Sequence, residues 1–323
     1  MEHIELAPLR FTPYLKSVIW GGNKLCSLKG MTQTTDKIGE SWELSAVPGH
    51  LSIVESGVYS GMTIKDLIDR FGAQLLGSRV YERYEGKFPL LVKLIDAHEN
   101  LSVQVHPNDE LAGRKHNSLG KTEMWYILAS DKDAKIYAGL NRTITLDEYE
   151  RKVTDGTFTD VLATHSSLPG DVFFLPAGRV HAIGAGNLLA EIQQSSDVTY
   201  RIFDYNRRDT TGNTRELHTE LAKEAIDFTV HEDYKAVTPS NEIFHAELVT
   251  CKHFRVFREI IKGEAELNFS PESFTIFMCI DGGATIEYGN GEIGISTVQT
   301  VLLPAVLSKV RFRGTATILV AQA

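Results

Sequence analysis

The chain has 323 residues, of which 42% are hydrophobic and 23% charged, and this balance is typical of a soluble globular protein with a sizeable core. Its formal net charge of −9 argues against nucleic acid or an anionic membrane as partner, although a local cluster of cations could still hold a small phosphorylated molecule. Three widely spaced cysteines, the lack of an apolar run long enough for a bilayer and the lack of a signal-peptide pattern predict a reduced, cytoplasmic protein.

Residues 1–60 predict short strands separated by glycines. In the stretch IGESWEL, alternation puts Glu40 on the face of the following tryptophan, so either a carboxylate points inward or the strand carries an exposed acid. Residues 63–76 have apolar residues at helical spacing behind a threonine N-cap. Residues 88–97 then predict an apolar strand that carries Lys93.

The stretch LSVQVHPNDELAGRKHNSLGKTEMWYIL predicts two strands joined by a polar loop. Alternation places Ser102, Gln104 and His106 on one face of the first strand. It also places Lys121 and Glu123 on one face of the second. If these two faces meet, an amide oxygen, an imidazole nitrogen and a carboxylate converge on one point, which is a set of metal ligands lacking a fourth member.

A fourth candidate ligand lies downstream, where an apolar strand at residues 172–175 runs into a Pro-Ala-Gly turn that precedes His181. Gln, His, Glu and His together suit Zn²⁺ best, with Mn²⁺, Fe²⁺ or Co²⁺ as alternatives, and leave positions open for substrate or water. A lone Gln-x-His or a lone histidine after a turn is more often structural. The pattern by itself therefore leaves a metal site and an ordinary polar core equally open.

The rest of this half predicts further elements in a fixed order. They are a strand at 136–140, a helix at 145–153 that opens like a capping box, a strand and loop at 188–200, a helix at 217–228, and a polar connector at 229–243.

From residue 246 onwards the pattern is one of short apolar strands with glycine turns, which favours a sandwich or barrel. The segment VLLPA echoes the FFLPA that precedes His181, and in that alignment Lys309 falls opposite His181. No Gln-x-His equivalent occurs there, so the second copy is expected to lack metal ligands. The predicted domains are a catalytic, metal-binding domain at 1–235 and a degenerate β domain at 236–323.

Five segments together resemble one protein family: GESWELS, SVQVHPND, GKTEMWY, FLPAGRVHAIGAG and SSDVTYRIFDYNR. Their order and content resemble the type I mannose-6-phosphate isomerases of the cupin superfamily, in the shorter bacterial form. The resemblance is strongest over 19–206 and faint in the C-terminal third. One departure is Ile183, because the longer isomerases have an aromatic residue two places after the last metal histidine.

The resemblance implies a mainly β fold with two cupin-type jelly-roll domains and a few added helices. It implies a metal-dependent aldose–ketose isomerase that interconverts mannose 6-phosphate and fructose 6-phosphate through a cis-enediol(ate). The implied Zn²⁺ ligands, one ion per chain, are Gln104, His106, Glu123 and His181. The implied catalytic residues are Arg201, Lys121 and Glu191. The implied substrate-binding residues are Ser102, Glu40, Lys93 and Asp197.

Three alternatives stay open at this stage. The closest is an isomerase of unphosphorylated mannose, and the others are a non-catalytic sugar-sensing cupin and an Fe²⁺-dependent cupin oxygenase, against which Gln104 argues because those sites favour histidines. The predicted partner is a small sugar phosphate, without nucleic acid or membrane, and the chain is expected to be a monomer or homodimer.

Overall fold

The chain is mostly strand, with short helices between the strands. The computed structural model of the protein describes residues 6–31, 37–208, 211–240, 242–289 and 291–323. Positions 241 and 290, which the sequence places in loops, lie outside these ranges. The strands in chain order are β1 Phe11–Thr12, β2 Tyr14–Gly22, β3 Ile38–Leu44, β4 Ile53–Val54, β5 Leu90–Ala97, β6 Val103–Val105, β7 Glu123–Ser130, β8 Lys135–Leu140, β9 Leu162–Ser166, β10 Val172–Leu175, β11 His181–Ile183, β12 Asn187–Gln194, β13 Tyr200–Phe203, β14 Lys235–Ala236, β15 His245–Thr250, β16 Arg255–Asn268, β17 Thr275–Tyr288, β18 Gly291–Ser296, β19 Thr300–Leu303 and β20 Lys309–Gln322. The helices are α1 Lys24–Leu28, α2 Ile64–Phe71, α3 Ala73–Leu76, α4 Ser78–Arg83, α5 Asp109–His116, α6 Leu146–Thr154 and α7 Thr219–Ala225, with a 3-10 helix at Phe158–Val161.

Backbone contacts divide the chain into two compact units. The larger unit comprises residues 15–41 and 93–238, and the smaller comprises 1–14, 42–92 and 239–323. The whole segment from 239 onwards falls in the smaller unit, together with two segments from the N-terminal third. The predicted domain bounds, 1–235 and 236–323, stay a prediction.

The larger unit is built on facing antiparallel sheets. Strands β13-β6-β11-β8-β9 form a five-stranded sheet, and β14-β10-β7-β12-β5-β2-β3 form a seven-stranded sheet. Side chains from both sheets meet in one buried cluster, for example Trp125 and Ile127 from β7 with Ile136 and Ile183 from the five-stranded sheet. This two-layer arrangement confirms the mainly β prediction for this part of the chain.

The opposite face of the five-stranded sheet is covered as well. Val103 and Val105 point away from the inter-sheet core and pack in a second cluster with Tyr149 of α6 and Ala222 of α7. Both faces of β6 are therefore buried, and this explains why a strand of three residues can present polar side chains on one face and remain stable.

The smaller unit contains a six-stranded sheet with the order β15-β16-β20-β17-β18, in which β19 also pairs with β17. The prediction of short strands with glycine turns is wrong here, because β16, β17 and β20 each run for 14 residues. The pair Gly282-Gly283 does not turn the chain; the register shifts between Cys279 and Asp281, which marks a β-bulge. A Cβ on Gly282, where φ is +75°, would lie 2.2 Å from the carbonyl oxygen of Thr315, so only glycine allows this approach.

Helix starts follow the predicted caps. The Thr63 hydroxyl accepts a hydrogen bond from the backbone N–H of Asp66, and the Asp66 carboxylate accepts one from the backbone N–H of Thr63. The predicted helix is split into α2 and α3 at Gly72. Thr145 caps α6 by accepting from the backbone N–H of Glu148. The 217–228 prediction is confirmed in its centre as α7. None of the helices in the described ranges is long and apolar enough to cross a lipid bilayer.

The predicted similarity between the FFLPA and VLLPA segments extends to the strands that they form. His181 is the first residue of β11, the strand after β10, and Lys309 is the first residue of β20, the strand after β19. A lysine thus stands at the position that a histidine occupies in the larger unit.

Candidate metal centre and substrate pocket

Strand register brings three of the predicted residues side by side on the inner face of the five-stranded sheet. Gln104 of β6 pairs with His181 of β11 on one side and with Arg201 of β13 on the other. Residues paired directly across antiparallel strands point to the same face. His106 follows one residue beyond the end of β6 and is buried.

The facing sheet supplies the carboxylate. Glu123 is the first residue of β7 and is completely buried. Its Oε1 lies 3.2 Å from His181 Nε2, and its Oε2 lies 3.4 Å from His106 Nε2. Among the described residues these three form the one group of His, Cys, Asp or Glu side chains whose ligand atoms all lie within 4.8 Å of one another.

Both imidazoles are oriented by main-chain carbonyls. His106 Nδ1 donates to the carbonyl oxygen of Val198 at 3.0 Å, and His181 Nδ1 donates to that of Arg179 at 2.8 Å. Each ring is thereby fixed in the tautomer whose Nε2 carries a lone pair, and each Nε2 faces Glu123. Metal-binding histidines in proteins are commonly oriented in this way, with the other ring nitrogen donating to a carbonyl or carboxylate.

A test of whether these residues fit a metal comes from hydrogen bonding. Both carboxylate oxygens of Glu123 are buried without a hydrogen-bond partner, which is costly unless a cation occupies the space that they face. The amide end of Gln104 lies at the same point, with its nitrogen 3.3 Å from His181 Nε2, and a half-turn of the amide would present its oxygen instead. Two imidazole nitrogens, a carboxylate and an amide therefore fit a divalent transition metal.

The electrostatics favour the protonation states that bind metal. Burial, and then the charge of Lys121, lower the pKa of His106 to about 3, and burial also lowers the pKa of His181. Burial alone would raise the pKa of Glu123, but Lys121 and the two histidines lower it well below its usual range. The histidines are thus neutral and the carboxylate ionised, as metal ligands must be.

Lys121 is brought to this cluster from the loop before β7. Its Nζ lies 3.2 Å from His106 Nε2 and 3.4 Å from Glu123 Oε2, and the residue is buried. Its backbone N–H donates to the carbonyl of Pro107, which ties the two ends of the intervening loop together. The predicted shared face of Lys121 and Glu123 is therefore confirmed in space.

Glu191 lies beside this group on the seven-stranded sheet and is also buried. Its Oε1 accepts from Lys93 Nζ at 2.8 Å, and its Oε2 accepts from Trp125 Nε1 at 2.9 Å. Lys93 in turn lies 3.8 Å from a carboxylate oxygen of Glu40. Burial would lower the pKa of Lys93, but the charges of Glu191 and Glu40 raise it above its usual value.

Arg201 of β13 and Ser102, which precedes β6, form a second group of predicted site residues. Arg201 Nε donates to Ser102 Oγ at 3.3 Å, and its Nη1 donates to the carbonyl of Glu216 at 2.8 Å. Burial, and then the charge of Arg215, lower the pKa of Arg201. Arg207 acts on it in the same direction, so three guanidinium groups lie near one another here.

One buried carboxylate, Asp204, holds two of those arginines. It accepts from Arg215 Nε at 2.8 Å and pairs with the guanidinium of Arg207, while Arg207 also donates to the carbonyl of Asn100. Asp197, by contrast, is exposed, and no ion pair joins it to Arg201 within the part of the chain that the structure describes. The structure thus joins the predicted site residues other than Ser102, Arg201 and Asp197 through a chain of side-chain contacts that includes Trp125. Arg201 and Ser102 are linked to them through the strand pairing of Arg201 with Gln104.

Sequence reasoning missed Trp125 and Asp204, and two backbone carbonyls that orient the histidines. Alternation places Trp125 on the same face as Glu123, but this pattern gives no sign that its indole N–H reaches a carboxylate on another strand. Asp204 stands among three arginines in the sequence, which is a usable sign of a charge cluster. Ile183 packs in the inter-sheet core.

Comparison with known proteins gives a consistent result. A family model described as "Phosphomannose isomerase type I, catalytic domain" matches residues 9–154. The chain is 36% identical over 316 residues to mannose-6-phosphate isomerase ManA of Bacillus subtilis, covering 95% of this chain and 96% of that protein. It is 31% identical over 310 residues to mannose-6-phosphate isomerase of Streptococcus mutans, covering 95% of each.

Solved structures agree in fold over the full length. The crystal structure of mannose 6-phosphate isomerase from Bacillus subtilis matches with a TM-score of 0.88 at 33% identity, covering 98% of this chain and 99% of that one. A putative mannosephosphate isomerase from Archaeoglobus fulgidus matches with a TM-score of 0.80 at 25% identity, covering 99% and 98%. The mainly β, cupin-type fold is thereby confirmed.

Proposed function

The chain belongs to the type I mannose-6-phosphate isomerase family, and from that premise we propose that it interconverts mannose 6-phosphate and fructose 6-phosphate in a metal-dependent aldose–ketose isomerisation. The family resemblance read from the sequence is confirmed. A sugar-sensing cupin without catalysis is not favoured, since the curated relatives that match almost the whole chain are named as isomerases.

One observation carries the proposal. Glu123 is buried with two unsatisfied carboxylate oxygens that face the Nε2 atoms of His106 and His181, and such an arrangement is explained by a bound cation. With the amide of Gln104 these residues supply the four donors that the family resemblance implies.

We propose Zn²⁺ as the ion, with Mn²⁺, Fe²⁺ or Co²⁺ as alternatives, because borderline imidazole donors combined with oxygen donors suit these metals. When bound, the ion supplies Lewis acidity that polarises the substrate's carbonyl and hydroxyl oxygens. Gln104, His106, Glu123 and His181 would hold it.

The chemistry of the remaining residues follows from charge and position. The reaction removes the proton on C2 of open-chain mannose 6-phosphate, forms a C1–C2 double bond with negative charge on O1, and returns the proton to C1 while O2 becomes the ketone. Glu191 is proposed to carry the carbon-bound proton, because a carboxylate held in place by two donors is a suitable base. Lys121 is proposed to move a proton between O1 and O2.

Arg201 is proposed to stabilise the enediolate, because an arginine stays protonated and can pair with an oxyanion through two N–H groups. It is adjacent to Gln104 across the strands, which puts its charge near the ligand cluster. The sugar hydroxyls would contact Glu40 and Lys93, and Asp197 stays a predicted substrate contact at an exposed position.

The phosphate is proposed to bind at Ser102. Arg201 donates to that hydroxyl, and Arg207 and Arg215 lie close enough to act on the charge of Arg201. Three guanidinium groups and two carboxylates, those of Asp204 and Glu216, leave an excess of one positive charge there. An isomerase of free mannose would have no use for it, so this cluster supports the phosphorylated substrate.

The test is a coupled assay for fructose 6-phosphate formed from mannose 6-phosphate. Protein stripped with a chelator should lose activity, and each candidate metal is then added back separately. Activity that returns with Zn²⁺ supports both the reaction and the ion. Folded protein that binds mannose 6-phosphate without turnover in any metal would favour the sensing cupin, and equal turnover of free mannose would remove the phosphate site.

Cellular location and assembly also remain proposals. The three cysteines, Cys26, Cys251 and Cys279, are free thiols, which supports a reducing compartment such as the cytoplasm. A monomer or homodimer that needs no nucleic acid or membrane stays the expectation.

A further inference from the structure

Trp125 contacts both Glu191, the proposed proton carrier, and His181, a proposed metal ligand. The proposed reaction gives it no role. The residue is completely buried in β7. Its indole Nε1 donates to Glu191 Oε2 at 2.9 Å. Its ring lies edge-on to the imidazole of His181, with ring centroids 5.3 Å apart and planes at 83°.

The second oxygen of Glu191 has a different donor. Glu191 Oε1 accepts from Lys93 at 2.8 Å, and the carboxylate is only 3% exposed, so water does not compete for either oxygen. One carboxylate held by two donors of different origin has a defined rotation about its terminal bond. Without the indole N–H, Oε2 would be buried without a partner and the carboxylate would turn about its contact with Lys93.

Strand register explains why the indole can reach both groups. Trp125 pairs directly with Glu191 of β12, and Glu123 lies two residues earlier on the same face of β7. Glu191 and Glu123 are therefore diagonal neighbours, whose Cα atoms in such pairs lie about 7–8 Å apart. Trp125 fills the space on the strand between the metal ligand and the proton carrier.

We propose that Trp125 is a positioning residue that fixes the carboxylate of Glu191 relative to the metal-ligand cluster through its indole N–H. The proposal rests on the proposed function, because it assumes that Glu191 moves the carbon-bound proton. Trp125 itself touches no reacting atom. Its effect is exerted through Glu191, and its contact with His181 keeps the indole plane from turning.

The expected consequence is a loss of turnover with little change in substrate affinity. A displaced carboxylate lowers the rate of proton transfer, and a misplacement of about 1 Å can cost about 100-fold. We expect kcat for mannose 6-phosphate to fall about 10- to 100-fold in Trp125→Phe, with KM within two-fold of wild type. Zinc content should be unchanged, because all four proposed ligands remain.

The experiment uses full-length protein, stripped with chelator and reconstituted with Zn²⁺. Trp125→Phe removes the N–H and part of the ring. A second variant, with Trp125 replaced by 3-benzothienylalanine, keeps the shape of the ring and its contact with His181 and removes only the N–H donor. Ile127→Ala is the matched control: it is buried in the same cluster two residues along β7, and should lower Tm without lowering kcat more than two-fold.

A double-mutant cycle identifies the route of the effect. In a Glu191→Gln background, whose residual kcat is measured first, Trp125→Phe should change kcat by less than two-fold, because the group it positions is gone. Zinc content and Tm are measured for each variant alongside kcat and KM.

Each other result overturns the proposal. A 3-benzothienylalanine variant with wild-type kcat would show that the N–H is not needed. An equal loss from Trp125→Phe in both backgrounds would place its action elsewhere. Full activity of Glu191→Gln would remove the proposed role of Glu191 itself, whereas an inactive Glu191→Gln with a normal Trp125→Phe would refute only the present inference.

Discussion

Glu123→Gln tests the assignment of the metal centre through stability, independently of turnover. The substitution replaces the one charged ligand with a neutral side chain of the same shape. In wild type, an ion at 1,000 times its dissociation constant stabilises the folded state by about 4.1 kcal/mol. For a unit of this size that corresponds to a rise in Tm of about 8–16 °C.

The loss of metal affinity in Glu123→Gln has a lower limit. Removing a group that only supports a ligand already costs 10- to 100-fold in metal affinity, so loss of the carboxylate between two histidines should cost at least about 100-fold. That leaves at most about 1.4 kcal/mol of stabilisation at the same metal concentration, or a rise in Tm of no more than about 3–6 °C. Stripped Glu123→Gln should also be less stable than stripped wild type, because Lys121 loses its buried partner 3.4 Å away.

The assay is thermal unfolding with chelator and with added Zn²⁺, in wild type, Glu123→Gln and Glu191→Gln. The last variant is the control, since it removes a buried carboxylate from the same sheet face outside the ligand set. Without metal, Glu191→Gln should have a lower Tm than wild type, and added Zn²⁺ should raise its Tm by the same amount as in wild type. A full rise in Glu123→Gln, or its loss in Glu191→Gln, would refute the assignment of the ligands.

Three further predictions address the site border and the fold. Arg201→Lys should lower kcat about 100- to 1,000-fold with unchanged zinc content, because a lysine cannot pair through two N–H groups; a raised KM for mannose 6-phosphate with normal kcat would assign this residue to the phosphate instead. Asp204→Asn should cost about 3–5 kcal/mol in denaturant unfolding at pH 7. Burial would raise the pKa of Asp204, but its arginine partners lower this pKa below the ordinary 3.8. The stability that the ionised Asp204 contributes is therefore complete above pH 3.8 and is lost as the pH falls below 3.8. An Asp204→Asn variant whose stability depends on acid pH as the wild type's does would contradict this. Gly139→Ala should lower Tm markedly, because φ is +78° and the new Cβ would lie 2.1 Å from the ring of Tyr234. Gly113→Ala, where the new Cβ would meet open space, should leave Tm unchanged or raise it slightly. Equal changes in Tm for the two variants would contradict the tight packing at Gly139.

The candidate metal ligands stand out in the sequence because polar residues at inward-facing positions of apolar strands are unusual. Gln104 lies between two buried valines in β6 and Glu123 begins the buried strand β7, so their inward direction follows from the period of two. What the pattern could not give is that the two strands belong to different sheets, with a helix, α5, in the connection instead of a polar loop. Only Leu111 and Ala112 of α5 are buried, so it shows little amphipathic pattern.

Local sequence patterns also cannot predict which distant strands pair, or in which register. The contact of Trp125 with Glu191 depends on the register between β7 and β12, and no local pattern fixes the register of strands so far apart in the chain. The prediction of a glycine turn at Gly282-Gly283 is wrong for a related reason. Two adjacent glycines usually indicate a turn, and only the neighbouring strand, with Thr315 close to the backbone, shows that they permit a long strand to continue.

The ligands of the proposed metal come from opposite layers of the larger unit, with Gln104 and His181 in one sheet and Glu123 in the other. Neither layer on its own contains a complete site, so no fragment or early folding intermediate that holds a single hairpin can bind the ion tightly. Metal uptake must therefore come late in folding, after the two layers have docked. Once bound, the ion would link segments of the two layers that are distant in sequence.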